Sequence, residues 1–152
     1  MTAAIANRDT KEIGLLQEVA PIALPVAAAT TIFAGTMVFT DAAGNAVPGN
    51  ITTALRAWGR CEKQVVNTVA AGFGTAGALT VEAQPGVFPF VNGDAITAAD
   101  AGKPCYAIDD QTVVKTAGAG RPYAGVIFGL TNGEVRVGIG PVFGASFHTV
   151  GS

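Results

Sequence analysis

Gly72-Phe73-Gly74-Thr75-Ala76-Gly77 reproduces the G-x-G-x-x-G spacing with which a backbone approaches a pyrophosphate at a helix N-terminus. That chemistry needs a crossover helix behind the loop. Here only residues 78–84 precede Pro85-Gly86, and Leu79, Val81 and Ala83 alternate with Thr80, Glu82 and Gln84 as a strand does, so the segment reads as a flexible glycine-rich loop. Asp109 and Asp110, with Asp94 and Asp100 near them in sequence, could serve as calcium ligands or as an acid and base pair. Their spacing matches no calcium loop. Aspartate is also favoured in turns, because its carboxylate accepts hydrogen bonds from the local backbone, and turns are the reading preferred here. Ser146 and His148 lack a G-x-S-x-G elbow, and His148 is the only histidine of the chain. Cys61 and Cys105 form no C-x-x-C pair and have no clustered histidine, so they read as two buried thiols, with a bridge between them as the lesser alternative. No residue set calls for catalysis, a metal or a cofactor, and the chain is expected not to be an enzyme.

The residues with most to offer a partner are aromatic and cationic. Arg56 and Arg60 flank Trp58 on what reads as one face of a strand, an arrangement able to stack bases. Glu62 interrupts the basic stripe. Two readings remain open for the trio: a half-exposed sheet face with Trp58 under arginine stems, or a protein interface anchored by residue types favoured at hot spots. Phe88, Phe90, Phe143 and Phe147 are core candidates first and contact residues second. The expected interface set is therefore Arg56, Trp58, Arg60, Phe143 and Phe147.

Composition narrows the class of partner. Charged residues make up 13% of the 152, and the formal charge of −2 carries no long run of either sign, so nucleic acid is not an expected partner. Apolar residues reach 49%, much of it alanine, beside 20 glycines. A surface with so few charges points to cover by other subunits. The apolar stretch over residues 19–35 is broken by Pro21 and Pro25, which argues against a membrane span, and Asp9, Glu12 and Glu18 argue against a signal peptide. The expected place of synthesis is the cytoplasm.

The elements that must position these residues are short strands. Residues 36–40 lead into the turn Asp41-Ala42-Ala43-Gly44-Asn45, a first hairpin signal. Leu55, Ala57 and Cys61 share one parity and Arg56, Arg60, Glu62 and Gln64 the other, with Trp58 as the exception; a strand is preferred over a helix interrupted by Gly59. Pro85-Gly86 turns the chain into Val87-Phe88-Pro89-Phe90, where Pro89 demands an edge or a bulge. Residues 104–108 and 112–114 flank an aspartate turn. Residues 123–130 and 134–139 flank Thr131-Asn132-Gly133, and Asn-Gly supplies the two positive φ angles of a type I′ turn. One helical turn is expected at residues 97–101, where Thr97 and Asp100 have capping-box spacing. The fold class is all-β: a small β-barrel or β-sandwich of short antiparallel strands with an extended N-terminal arm. The expected division is an arm at 1–12, a β domain at 13–142 and a tail at 143–152.

From Leu79 to Ile139 the chain resembles the decoration, or cement, proteins of tailed-bacteriophage heads. The likeness runs in order through Val81, Pro85-Gly86-Val87-Phe88, Gly93-Asp94-Ala95-Ile96-Thr97, Gly102-Lys103-Pro104-Cys105-Tyr106, Asp109-Asp110-Gln111-Thr112-Val113, Ala124-Gly125-Val126 and Val135-Arg136-Val137. A weaker likeness reaches back to Ala34-Gly35-Thr36. The resemblance implies a structural virion protein on the capsid surface, with the major capsid protein and itself, favoured as a trimer, as partners. It brings no catalytic residue. Residues 1–12 could then dock by adding a strand to a neighbour's sheet edge. The alternatives are another phage structural module, of tail or baseplate, and a glycan-binding β domain using Trp58, Tyr106 and Tyr123.

Overall fold

The computed structural model describes residues 20–52 and 54–144, so the expected arm at 1–12 and the residues Ser146, Phe147 and His148 lie outside the described residues. Among the described residues twelve short strands follow one another: β1 (Ile22–Pro25), β2 (Thr30–Ile32), β3 (Met37–Thr40), β4 (Ala46–Pro48), β5 (Arg56–Cys61), β6 (Val65–Asn67), β7 (Thr80–Gln84), β8 (Gly86–Asn92), β9 (Pro104–Ala107), β10 (Thr112–Val114), β11 (Tyr123–Thr131) and β12 (Glu134–Ile139). The all-β expectation is met. The only helical pieces among the described residues are 3₁₀ turns and the single turn α1 (Pro141–Gly144).

The strands form three units. A five-stranded antiparallel sheet runs in the order β1-β7-β5-β3-β4, a closed barrel runs β10-β8-β12-β11-β9, and β2 pairs with β6 as a separate ribbon. Inside the barrel, β10 and β8 are parallel and every other pairing is antiparallel. Val135, Val137 and Ile139 alternate with Glu134, Arg136 and Gly138, and the three apolar side chains are fully buried in the barrel, as their parity predicts. Asn132 and Gly133 both have positive φ, 51° and 82°, which is the backbone of the expected hairpin turn between β11 and β12.

β3 explains how two cores share one chain. All four of its residues are buried, because both faces of the strand are covered. Met37 and Phe39 pack with the barrel interior, whereas Val38 joins Leu24, Val26, Ile32, Cys61 and Val81 in a second core under the β2–β6 ribbon. Each such side chain contributes about 1.5–3 kcal/mol relative to exposure. A backbone bond from Met37 N–H to the Asp110 carbonyl, 2.8 Å, ties the sheet to the β9–β10 turn of the barrel.

Pro85-Gly86 turns the chain as expected, and the turn is the corner where it leaves the sheet for the barrel: β7 pairs with β1 and β5, whereas β8 pairs with β12 and β10. Pro89 does sit on a locally open edge: β12 pairs it on one side, and β10 meets β8 only from Val91 onward. One local expectation changes, in β5. Phe39 pairs with Ala57 and Val38 with Gly59, so Trp58 is the extra residue of a β-bulge. The bulge reverses parity beyond it. Ala57 therefore packs with the barrel core, and Cys61 with the second one.

Cys61 and Cys105 thus lie in separate cores, buried and unbridged. Burial pushes the Cys105 thiol up to about 12 and also raises that of Cys61, so little of the reactive thiolate forms. The expected result is that neither thiol reacts with a disulfide reagent in the native protein at mildly alkaline pH, and both react in urea. Fast labelling of Cys105 in the native state would contradict the barrel packing.

Candidate interaction surfaces

Three of the four candidate aspartates, Asp94, Asp100 and Asp109, accept hydrogen bonds from backbone N–H groups. Asp109 Oδ1 accepts from the N–H groups of Gln111 and Thr112, at 2.8 and 2.7 Å, and so shapes the β9–β10 turn. Asp94 Oδ2 accepts from the Thr116 hydroxyl at 2.7 Å and from the N–H groups of Thr116 and Lys115. The Thr116 hydroxyl does most to hold this carboxyl below its ordinary value. Asp100 accepts from Thr97 N–H at 2.9 Å, within the expected turn, which is 3₁₀ over Ala98–Asp100. Its two oxygens also meet Lys103 Nζ at 3.2 Å and Lys115 Nζ at 3.3 Å. Asp110 behaves oppositely, because burial and the neighbouring Asp109 charge raise its value. Among the described residues no three His, Cys, Asp or Glu side chains form a group able to hold a metal ion.

The Asp100 cluster sets a pH dependence. With Thr97 N–H as the largest cause, its carboxyl is lowered from 3.8 to about 2, so its stabilisation is complete above the ordinary carboxylate range and is lost as pH falls through about 2. Asp94 acts in the same direction and Asp110 in the opposite one. Urea midpoints measured from neutral to strongly acid pH should fall in the wild type, and should fall less in Asp100→Asn, which starts from a lower stability. Equal acid losses would remove Asp100 from this account.

The bulge also divides the aromatic and cationic trio. Residues paired across antiparallel strands share a face, and Met37 opposite Arg60 faces the barrel, whereas Thr40 lies opposite Arg56. Arg60 therefore lies over the Phe88 ring, 4.3 Å from its centroid, and pairs with Glu62 at 2.6 Å. Trp58 packs on the second core and donates from Nε1 to Thr40 Oγ1 at 2.7 Å. The expectation that Arg56 and Arg60 flank Trp58 on one face is corrected: Arg56 and Arg60 lie on opposite faces because the extra residue stands between them.

Phe143 is half-buried, not free. It stacks edge-on against Phe128 with centroids 5.6 Å apart, and its carbonyl accepts a bond of 2.5 Å from the Tyr123 hydroxyl, whose burial raises its ionisation well above the ordinary range. α1 thereby closes onto the outside of the barrel across the expected boundary at 142 and 143. Phe147 lies outside the described residues. Phe90 is a core residue, and Phe88 is partly buried beneath Arg60.

What sequence reasoning missed is the organisation of the glycine-rich segment. Asn67, completely buried at the end of β6, donates from Nδ2 to the carbonyls of Thr75, Ala27 and Val26 at 2.8, 3.0 and 3.2 Å. Its Oδ1 accepts from Gly74 N–H at 2.9 Å. Thr68 caps the 3₁₀ turn Val69–Ala71, and Phe73 N–H returns to the Thr68 carbonyl. The segment expected to be flexible is thus pinned by hydrogen bonds, and no crossover helix follows it. A polar residue directly after Val65-Val66 at a strand end was the available signal.

The apolar side chains left in solvent fall mainly on this loop, where Val69 is 81% and Phe73 47% exposed, and on the barrel exterior, where Phe128 is 44% and Val142 67% exposed. Phe33 and Ile51 are also exposed. Among the described residues no helix is long and apolar enough to cross a membrane. Comparison of the chain with family models, with curated proteins and with solved structures returns no match.

Proposed function

We propose that this protein is a structural component of a virion, which binds the outer surface of a tailed-phage capsid and stabilises it by bridging capsid subunits. The observation that carries the reading is the pairing of a closely packed β scaffold with large apolar side chains held in solvent at Val69, Phe73, Phe128 and Val142. Large apolar side chains kept in solvent on a sparsely charged protein favour contact with other macromolecules. The ordered likeness from Leu79 to Ile139 to capsid decoration proteins supports the choice of partner. Asp100 and Asp109 are spent on local turns, as a scaffold requires.

The mechanism is multivalent. An oligomer, with a trimer favoured, touches several capsid subunits, so each contact after the first is intramolecular and avidity rises without any exceptional single interface. Mixing the purified protein with undecorated heads and imaging the particles tests this. Regular decoration and greater resistance of the heads to heat are the expected result. Heads that stay bare at high protein concentration would refute it.

A further inference from the structure

We propose that the loop at residues 68–77 is a preformed tip that docks into an uncharged, apolar recess of the capsid shell, through Val69 and Phe73. The proposal rests on the capsid-binding reading above and names the surface that reading leaves unassigned. Three observations converge on it.

The first is exposure in an ordered setting. Val69 is the most exposed large apolar side chain among the described residues, and Phe73 beside it is nearly half exposed. Folding gains little from either, since neither joins a core cluster. The second is rigidity built from below. Asn67 makes four hydrogen bonds from a fully buried position, Ala29 N–H binds the Gly74 carbonyl, and Gly77 N–H binds the Val26 carbonyl. Burying an amide with every partner in place fixes one loop conformation, and a surface that is already ordered loses less entropy on binding. The third is charge. No ionisable side chain occurs between Lys63 and Glu82, so a partner gains nothing from charge opposite this tip and would leave any charge placed there unpaired. The matching surface is therefore apolar and neutral.

The test uses the full chain and undecorated heads. Val69→Ser, Phe73→Ser and the double variant alter only exposed side chains, and should keep the circular dichroism and thermal midpoint of the wild type. Bound copies per head, titrated against protein concentration, should fall about tenfold or more in apparent affinity for the double variant. Wild-type occupancy should change little while added salt shortens the Debye length from about 10 to about 3 Å. Unchanged occupancy by a folded double variant overturns the docking tip and leaves capsid binding intact. Heads left bare by the wild type defeat the capsid reading itself. A smaller oligomer in the double variant makes the tip a contact between copies, and co-sedimentation of the wild type with phosphatidylcholine vesicles makes it a lipid contact; either overturns the proposal.

Discussion

Asn67→Asp is expected to lower stability by about 3–5 kcal/mol at neutral pH, because it sets an unpaired carboxylate in a fully buried position against three carbonyl oxygens. The substitution is nearly isosteric, so packing is preserved and the donors alone are lost. The sign of its pH dependence follows. A carboxyl that prefers to be protonated in the folded state has a raised folded value, so the part of the loss due to charge is recovered as pH falls through that value. The recovery is complete near the ordinary carboxylate range, while the deficit of one donor remains. Asn67→Ala leaves the same carbonyls without their partner, costs about 3 kcal/mol, and has no such recovery. Urea midpoints of the three proteins across pH separate these effects. If Asn67→Asp followed the wild-type profile, the amide could not be what holds the loop.

Gly125→Ala is expected to have a comparable effect for a different reason. A Cβ at Gly125 would fall on the carbonyl oxygen of Gly138 and would also lie 3.0 Å from Val137 Cγ1. Both obstacles belong to β12, whose buried valines fill the barrel, so neither can withdraw without opening it. The loss should be about 3 kcal/mol or more, a large part of a total of about 5–15 kcal/mol. Gly133→Ala is the contrast. That position has open space around it and only a positive φ of 82°, so the cost is conformational, about 1 kcal/mol. Thermal unfolding of the two variants ranks them, and a Gly133→Ala midpoint below that of Gly125→Ala would mean that the barrel tolerates a wider strand separation than its geometry indicates.

The candidate surface was only partly legible. Trp58 and Phe143 were expected at an interface; both are partly buried, one packed against the second core and the other closed against Phe128 and the Tyr123 hydroxyl. Aromatic type alone does not distinguish a core residue from a contact residue, because both roles reward large apolar area. Val69 and Phe73 were passed over inside a glycine-rich motif, whose outward direction depends on bonds from Asn67 to residues about 40 positions earlier in the chain.

By itself the sequence determined the β class, the Asp41-to-Asn45 and Asn132-Gly133 turns, the Asp100 capping box, the Asp109 turn, and the inward set Val135, Val137 and Ile139. All of these are local: period two, turn chemistry and short-range hydrogen bonds act within a few residues. Tertiary structure alone decided the division into barrel and sheet at Pro85, the two-faced burial of β3, and the bulge at Trp58 that sends Arg56 and Arg60 apart. Strand partners are chosen by how apolar faces close over one another at long range, and one extra residue in a strand reverses every face beyond it.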